Sequence, residues 1–101
     1  MADEIDRLIQ RLLDADSLRQ PVLRSAIRAL ELPPASQGLD VGCGIGLQAQ
    51  MLADAVGPQG HVTAVDILPE LLAHGENLAA AAGLAERITF RQGDMQQLPF
   101  A

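Results

Sequence analysis

Three carboxylates and a run of glycines are the residues of this chain whose types and spacing could do chemistry. Asp40 stands two residues before Gly42-Cys43-Gly44-Ile45-Gly46, where glycines alternate. Asp66 ends the run His-Val-Thr-Ala-Val-Asp, and Asp94 follows Gly93 shortly after Ile88-Thr89-Phe90. Glycine lacks a Cβ and tolerates positive φ, so a glycine turn lets backbone approach a ligand closely. A helix that starts directly after such a turn aims its free N–H groups and positive dipole end into it. Carboxylates beside that turn suit an ammonium and repel a pyrophosphate. Each residue also has a plainer use. The glycines could form only a tight turn, Asp66 could cap the helix starting near Pro69, and Asp94 could cap a turn.

A dinucleotide site is the first alternative to weigh. Its fingerprint is G-x-G-x-x-G with an acid about 20 residues on. Here the spacing is G-x-G-x-G, and Leu47 stands where the third glycine of that pattern belongs. Asp40 is foreign to the pattern as well. Other chemistry is weaker. Nothing near Cys43 in sequence would lower its pKa, which makes it a small buried filler rather than a nucleophile. His61 and His74 stand apart from each other and from Cys43, so no metal site is expected.

Composition narrows the partners. The 101 residues fit one small domain, with 49% hydrophobic and 20% charged residues. Net charge is −6, and the aromatics are two Phe with no Tyr or Trp. An acidic chain poor in stacking rings is not expected to bind nucleic acid. The start Met-Ala-Asp-Glu is acidic, and no apolar stretch approaches the roughly 18 residues of a membrane span. With one cysteine, no internal disulfide can form. The chain reads as cytoplasmic, with no membrane partner.

The elements that must position these residues follow from periodicity. Ile5, Leu8, Ile9, Leu12 and Leu13 make the stripe of an amphipathic helix over residues 3–16. Asp14, Asp16 and Ser17 break it, and Ser17 with Gln20 has capping-box spacing before Pro21. A second helix with Val22, Leu23, Ala26, Ile27 and Leu30 is expected next, ended by Pro33-Pro34. After residue 37 the order reads strand (Gly38 to Val41), helix, strand (Val62 to Ile67), helix (from Pro69 to Gly83), strand (Ile88 to Phe90). Gly75 lies inside the last helix and should weaken it by roughly 1 kcal/mol relative to alanine. Such alternation predicts an α/β fold with a parallel sheet and right-handed crossovers. Ligands in these sheets bind at the carboxyl ends of the strands, where all three acids lie. The expected division is a helical segment at 1–37 and a Rossmann-like half-domain at 38–101.

Leu39-Asp40-Val41-Gly42-Cys43-Gly44-Ile45-Gly46 resembles the glycine motif of the class I S-adenosylmethionine-dependent methyltransferases. Val65-Asp66-Ile67 resembles the acidic end of that family's second strand. Ala82-Gly83-Leu84, Ile88-Thr89-Phe90, Gly93-Asp94-Met95 and Leu98-Pro99-Phe100 resemble its third-strand region, most like the branch acting on small molecules and quinone-type substrates. The resemblance spans residues 38 to 100. It implies a Rossmann-like sheet and S-adenosyl-L-methionine as cofactor, with a small-molecule methyl acceptor. It implies that Gly42, Gly44 and Gly46 let backbone approach the methionine part of the cofactor. Asp40 would organise that loop and favour the cofactor's amino group. Asp66 would accept from both ribose hydroxyls, Ile67 would pack on the adenine, Asp94 would accept from the adenine amino group, and Met95 would contact the ring.

In that family the sheet continues with a fourth strand beside the first, and the later segments carry most acceptor contacts. The resemblance therefore implies that the chain holds the first half of such a domain, and no catalytic residue is identified in it. Two functions follow as expectations. One is the cofactor-binding portion of a methyltransferase. The other is a non-catalytic fragment or interaction module that binds cofactor weakly or not at all. An apolar first-strand edge would favour self-association, and the leading helices could cover the cofactor mouth.

Overall fold

The structure, a computed structural model, describes residues 2–94. The chain runs α1 (Ala2–Ala29), β1 (Gln37–Val41), α2 (Leu47–Val56), β2 (His61–Asp66), α3 (Pro69–Ala81) and β3 (Ile88–Gln92). The three strands form one parallel sheet in the order β1-β2-β3. The α/β expectation holds, and the strand and helix positions after residue 37 match within one or two residues. The motif Leu98-Pro99-Phe100 lies outside the described residues.

Register explains which side chains meet. Asp40, Ala64 and Phe90 are paired across the sheet, as are Leu39, Thr63 and Thr89. Paired residues in a parallel sheet share a face, and alternate residues face oppositely. The row with Ala64 and the row with Val62 and Ile88 pack under α2 and α3. Ala49 and Ala53 of α2 and Ala79 of α3 close over Val62, Ala64 and Ile88, all buried. Alanine dominates this layer, so the helices lie close to the sheet. The opposite face carries Leu39, which stays 47% exposed. Among the described residues the sheet is thus covered by helices on one face. The near-continuous apolar run of β2 reads as covered on both, yet its burial alternates over its first four residues.

The leading segment is one helix, not the two that its sequence signals predict. Asp16 and Gln20 sit on the same inner stripe as Leu12, Leu23 and Ile27, at helical spacing, and all of these are partly or fully buried. Val22 and Leu30, expected on an inner face, are 70% and 64% exposed. The capping box fails because the Ser17 hydroxyl donates back to the Asp14 carbonyl at 2.8 Å, a bond that suits a helix interior. Gln10 donates to Asp14 at 2.9 Å and Gln20 to Asp16 at 3.2 Å. These i,i+4 pairs bridge the point where the apolar pattern lapses. Pro21 removes one backbone hydrogen bond but lies on the exposed side.

One ring locks the glycine turn to the rest of the fold. Phe90 of β3 lies against both Gly46 at the start of α2 and Gly75 in the middle of α3. A Cβ placed on Gly46 would come within 2.7 Å of Phe90 Cε1, and one on Gly75 within 2.8 Å of the same atom. Gly75 also sits against the Ile45 carbonyl, which a Cβ would approach to 2.9 Å. Gly75 is therefore a packing requirement, whatever its helix propensity. Gly75→Ala gains about 1 kcal/mol of propensity but overpacks a site that includes backbone, which costs about 1–3 kcal/mol. A net loss near 1 kcal/mol should lower Tm by roughly 4–8 °C. Thermal melts followed by circular dichroism check the sign, and a raised Tm would contradict the packing account.

Candidate functional site

The site is organised by the carboxyl end of β2. The Val65 carbonyl accepts from Gly42 N–H at 2.7 Å and from Cys43 N–H at 2.9 Å. The Asp66 carboxylate then takes over: Oδ2 accepts from Gly44 N–H at 2.9 Å, and Oδ1 accepts from Leu68 N–H at 3.0 Å. Third, the Asp66 carbonyl accepts from Gly93 N–H at 3.1 Å, and the Ile67 carbonyl accepts from the Gln92 side chain at 3.1 Å. The turns after β1 and β3 are thereby both tied to the same two or three residues of β2. This follows from strand order: the middle strand ends between the other two, so its terminal groups reach both neighbouring turns.

The family resemblance implies that Asp40 organises the glycine loop. The hydrogen bond to that loop comes from Asp66 instead. Asp66 does not cap α3 directly either. Its bond to Leu68 N–H closes a local turn ahead of the helix, whose N-cap Leu68 has no side-chain cap. Each carboxylate oxygen of Asp66 has one N–H donor, which leaves acceptor capacity on both.

Asp40 has a different character. Its Oδ2 is buried and has no hydrogen-bond partner among the described residues. Burial raises its carboxyl above the ordinary range, and repulsion from Asp66 adds to this. Nearby, burial and then the two carboxylates push the Cys43 thiol up to about 12. The thiolate is the reactive form, so Cys43 is inert at neutral pH. A buried acceptor without a donor is a standing demand for one.

Asp40, Gly42 and Gly44 line a cleft of about 260 Å³. Gly42 has φ 73°, a backbone conformation that favours glycine, and a Cβ there would meet nothing within 4 Å. Gly42 thus leaves room beside the cleft. Gly46 differs, being turned toward Phe90 and committed to packing. Leu47 and Gln48, from the first turn of α2, also line the cleft. The remaining wall is α1, through Leu12, Asp16, Arg19 and Leu23. Sequence reasoning missed these. Their spacing of 4, 3 and 4 residues would have placed them on one helical stripe, had residues 2–29 been read as one helix.

The other expected site residues lie at the neighbouring strand ends. Ile67 is 58% exposed just past β2, an apolar side chain left open to solvent. Asp94 stands two residues past β3, exposed. Neither lines the cleft beside the glycine turn. Met95 lies outside the described residues. Among the described residues no three His, Cys, Asp or Glu side chains gather as a metal site, and no helix is long and apolar enough to cross a membrane.

Comparison with known proteins agrees with this geometry. The methyltransferase-domain family matches residues 39–101. A demethylmenaquinone methyltransferase of Bacillus cytotoxicus is 36% identical over 77 residues, which is 76% of this chain and 32% of that protein. The chain thus spans about a third of that relative. Among solved structures, an S-adenosylmethionine-dependent O-methyltransferase from Thermotoga maritima superposes with a TM-score of 0.72 at 26% identity, covering 78% of this chain and 30% of that one. A candidate rRNA methylase from Clostridium thermocellum gives a TM-score of 0.68 at 26% identity, covering 80% and 42%.

The raised Asp40 carboxyl makes a prediction with a definite sign. Its proton is held more tightly in the folded chain than in the unfolded one. Stability from this group is therefore fullest below the unfolded pKa and is lost as pH rises through the folded pKa. Asp40→Asn removes the buried charge and should raise Tm at pH 7. The advantage should shrink as pH falls toward the ordinary carboxyl value of 3.8, because the wild-type carboxyl is then protonated in the folded state and increasingly so in the unfolded one. Melts at pH 7 and at pH 4 measure this, and a variant less stable at pH 7 would refute it.

Proposed function

Because the chain belongs to the methyltransferase-domain family, we propose that it supplies the cofactor-binding portion of an enzyme that methylates a small-molecule acceptor. S-adenosyl-L-methionine is the cofactor that membership of this family brings. When bound it supplies the electrophilic methyl group, so the protein's task is to hold and orient it. The observation that carries the reading is the orphaned Asp40 Oδ2 beside an open glycine turn. A ligand with an ammonium and a sulfonium, and no phosphate, meets both demands.

The residues divide the work by position. Asp40 takes the ammonium, and Gly42 and Gly44 allow the methionine part to lie along the turn. Asp66 accepts the two ribose hydroxyls with the acceptor capacity that Gly44 and Leu68 leave free. Exposed Ile67 offers the adenine an apolar face, and Asp94 and Met95 contact its edge. Asp66 then has a double duty, holding the turn that holds the methionine end while it reads the ribose itself.

The choice of a small acceptor over RNA rests on charge and on the quinone-named relative. A chain with net charge −6, whose candidate site is lined by carboxylates, repels a polynucleotide. A second reading, an interaction module, has one observation in its favour. Among the described residues β1 has a strand partner on one side only, and Leu39 on it is 47% exposed. Such edges invite association. Light scattering checks it: the wild-type chain should show self-association that Leu39→Lys reduces.

Calorimetric titration with S-adenosyl-L-homocysteine tests the main reading. Wild-type chain is expected to bind it, and Asp66→Ala to weaken binding by about a hundredfold or more, since two hydrogen bonds to a charged group are lost, each ~1.5–3 kcal/mol. Circular dichroism of the variant separates lost binding from lost fold. A folded variant with unchanged affinity would defeat the assignment of Asp66.

A further inference from the structure

We propose that α1 is part of the ligand site and that Arg19 recognises the carboxylate at the amino-acid end of the ligand. The proposal rests on the cofactor reading above and extends it to a residue outside the family-matched segment, which begins at residue 39.

The argument starts from the charges in the cleft. Its lining contains two carboxylates, Asp16 and Asp40, and one cation, Arg19. An amino-acid end is a zwitterion, with one positive and one negative group a few ångströms apart. Asp40 answers the ammonium and leaves the carboxylate without a partner. A second carboxylate in an acidic cleft would be repelled unless a cation faced it.

Arg19 is placed and available for this. Leu12 Cδ1 lies 3.4 Å from where a Cβ on Gly44 would be, so α1 touches the glycine turn directly. Arg19 is seven residues, or two turns, beyond Leu12 on the same helix and lies on the same stripe. Asp16, one turn away, could have neutralised it. Instead Asp16 Oδ2 accepts from Gln20 at 3.2 Å. Arg19 makes no hydrogen bond or ion pair among the described residues. Its guanidinium can grip a carboxylate through two parallel N–H bonds, a geometry lysine cannot match. The start of α2 faces the same cleft, and its cap Gly46 provides no side-chain acceptor for the first N–H groups. An anion there would gain from those groups too.

The test compares two ligands that differ in one group. S-adenosyl-L-homocysteine carries both ends of the zwitterion. Its decarboxylated counterpart keeps the ammonium and the nucleoside and lacks only the carboxylate. By calorimetry, the wild-type chain should prefer the first. Arg19→Met should lose on the order of tenfold affinity for S-adenosyl-L-homocysteine and bind the decarboxylated ligand as before. Arg19→Lys should fall between, because it keeps the charge and loses the fork. Arg19 is exposed, so its substitution should leave Tm within a degree or two of wild type. Unchanged affinity in Arg19→Met, or an equal loss for both ligands, would overturn the role of Arg19 while the cofactor reading stands. Binding of neither ligand by the wild-type chain would overturn both.

Discussion

The end of β2 is the point on which the site depends. Within three residues, Val65, Asp66 and Ile67 supply a carbonyl to Gly42 and Cys43, a carboxylate to Gly44 and Leu68, and carbonyls to Gly93 and the Gln92 side chain. The backbone donors belong to three different turns, and the Gln92 side chain adds a donor from the end of β3. Backbone N–H groups in a turn cannot satisfy one another as they do in a helix or sheet, so they must find acceptors elsewhere. A central parallel strand ends with its carbonyls directed between its neighbours. An aspartate at that end adds two more acceptors on a short, stiff side chain. The carboxylate thus fixes the turn geometry before any ligand arrives, which is the preorganisation a binding site needs.

Packing imposes a second constraint that looks, in sequence, like part of the first. The motif Gly42-x-Gly44-x-Gly46 invites a single explanation, close approach of a ligand. In the folded chain the three glycines serve different ends. Gly42 borders open space, Gly44 touches Leu12 of α1, and Gly46 gives way to the Phe90 ring. Gly75, which reads as a weak point in α3, is the second half of the Phe90 socket and brings α3 onto the Ile45 carbonyl. One aromatic ring between two glycines therefore sets how α2, α3 and β3 converge beneath the turn. Phe90 is the aromatic residue among the described ones.

The same ambiguity ran the other way in α1. Asp16 and Gln20 look like interruptions of an apolar stripe and signals of a new helix. Asp16 stands where the stripe lines the cleft, and Gln20 donates to it from the next turn. Below them Leu12 meets the turn, and above them Ile27 is buried to 8% exposure. A polar break in an amphipathic pattern can mean a helix end or a wet surface, and periodicity alone does not separate the two. The charge pattern of the cleft follows from this placement. Asp40 is left with an unanswered oxygen and a raised carboxyl, and its field helps to keep Cys43 protonated.

By itself the sequence determined the alternation of elements after residue 37, the parallel sheet, the glycine turn and the presence of an acid at each strand end. Those features are local: runs of apolar residues, glycine, proline and their spacing act over a few residues, and each leaves its mark in order along the chain. The tertiary structure decided what local signals cannot carry. It made one helix of residues 2–29, gave the loop-holding task to Asp66 rather than Asp40, turned Gly46 and Gly75 toward Phe90, and brought Arg19 to the glycine turn 23 residues ahead of Gly42. Each of these depends on groups far apart in sequence meeting across a shared surface, and which of two physically reasonable partners a residue takes is settled only when that surface forms.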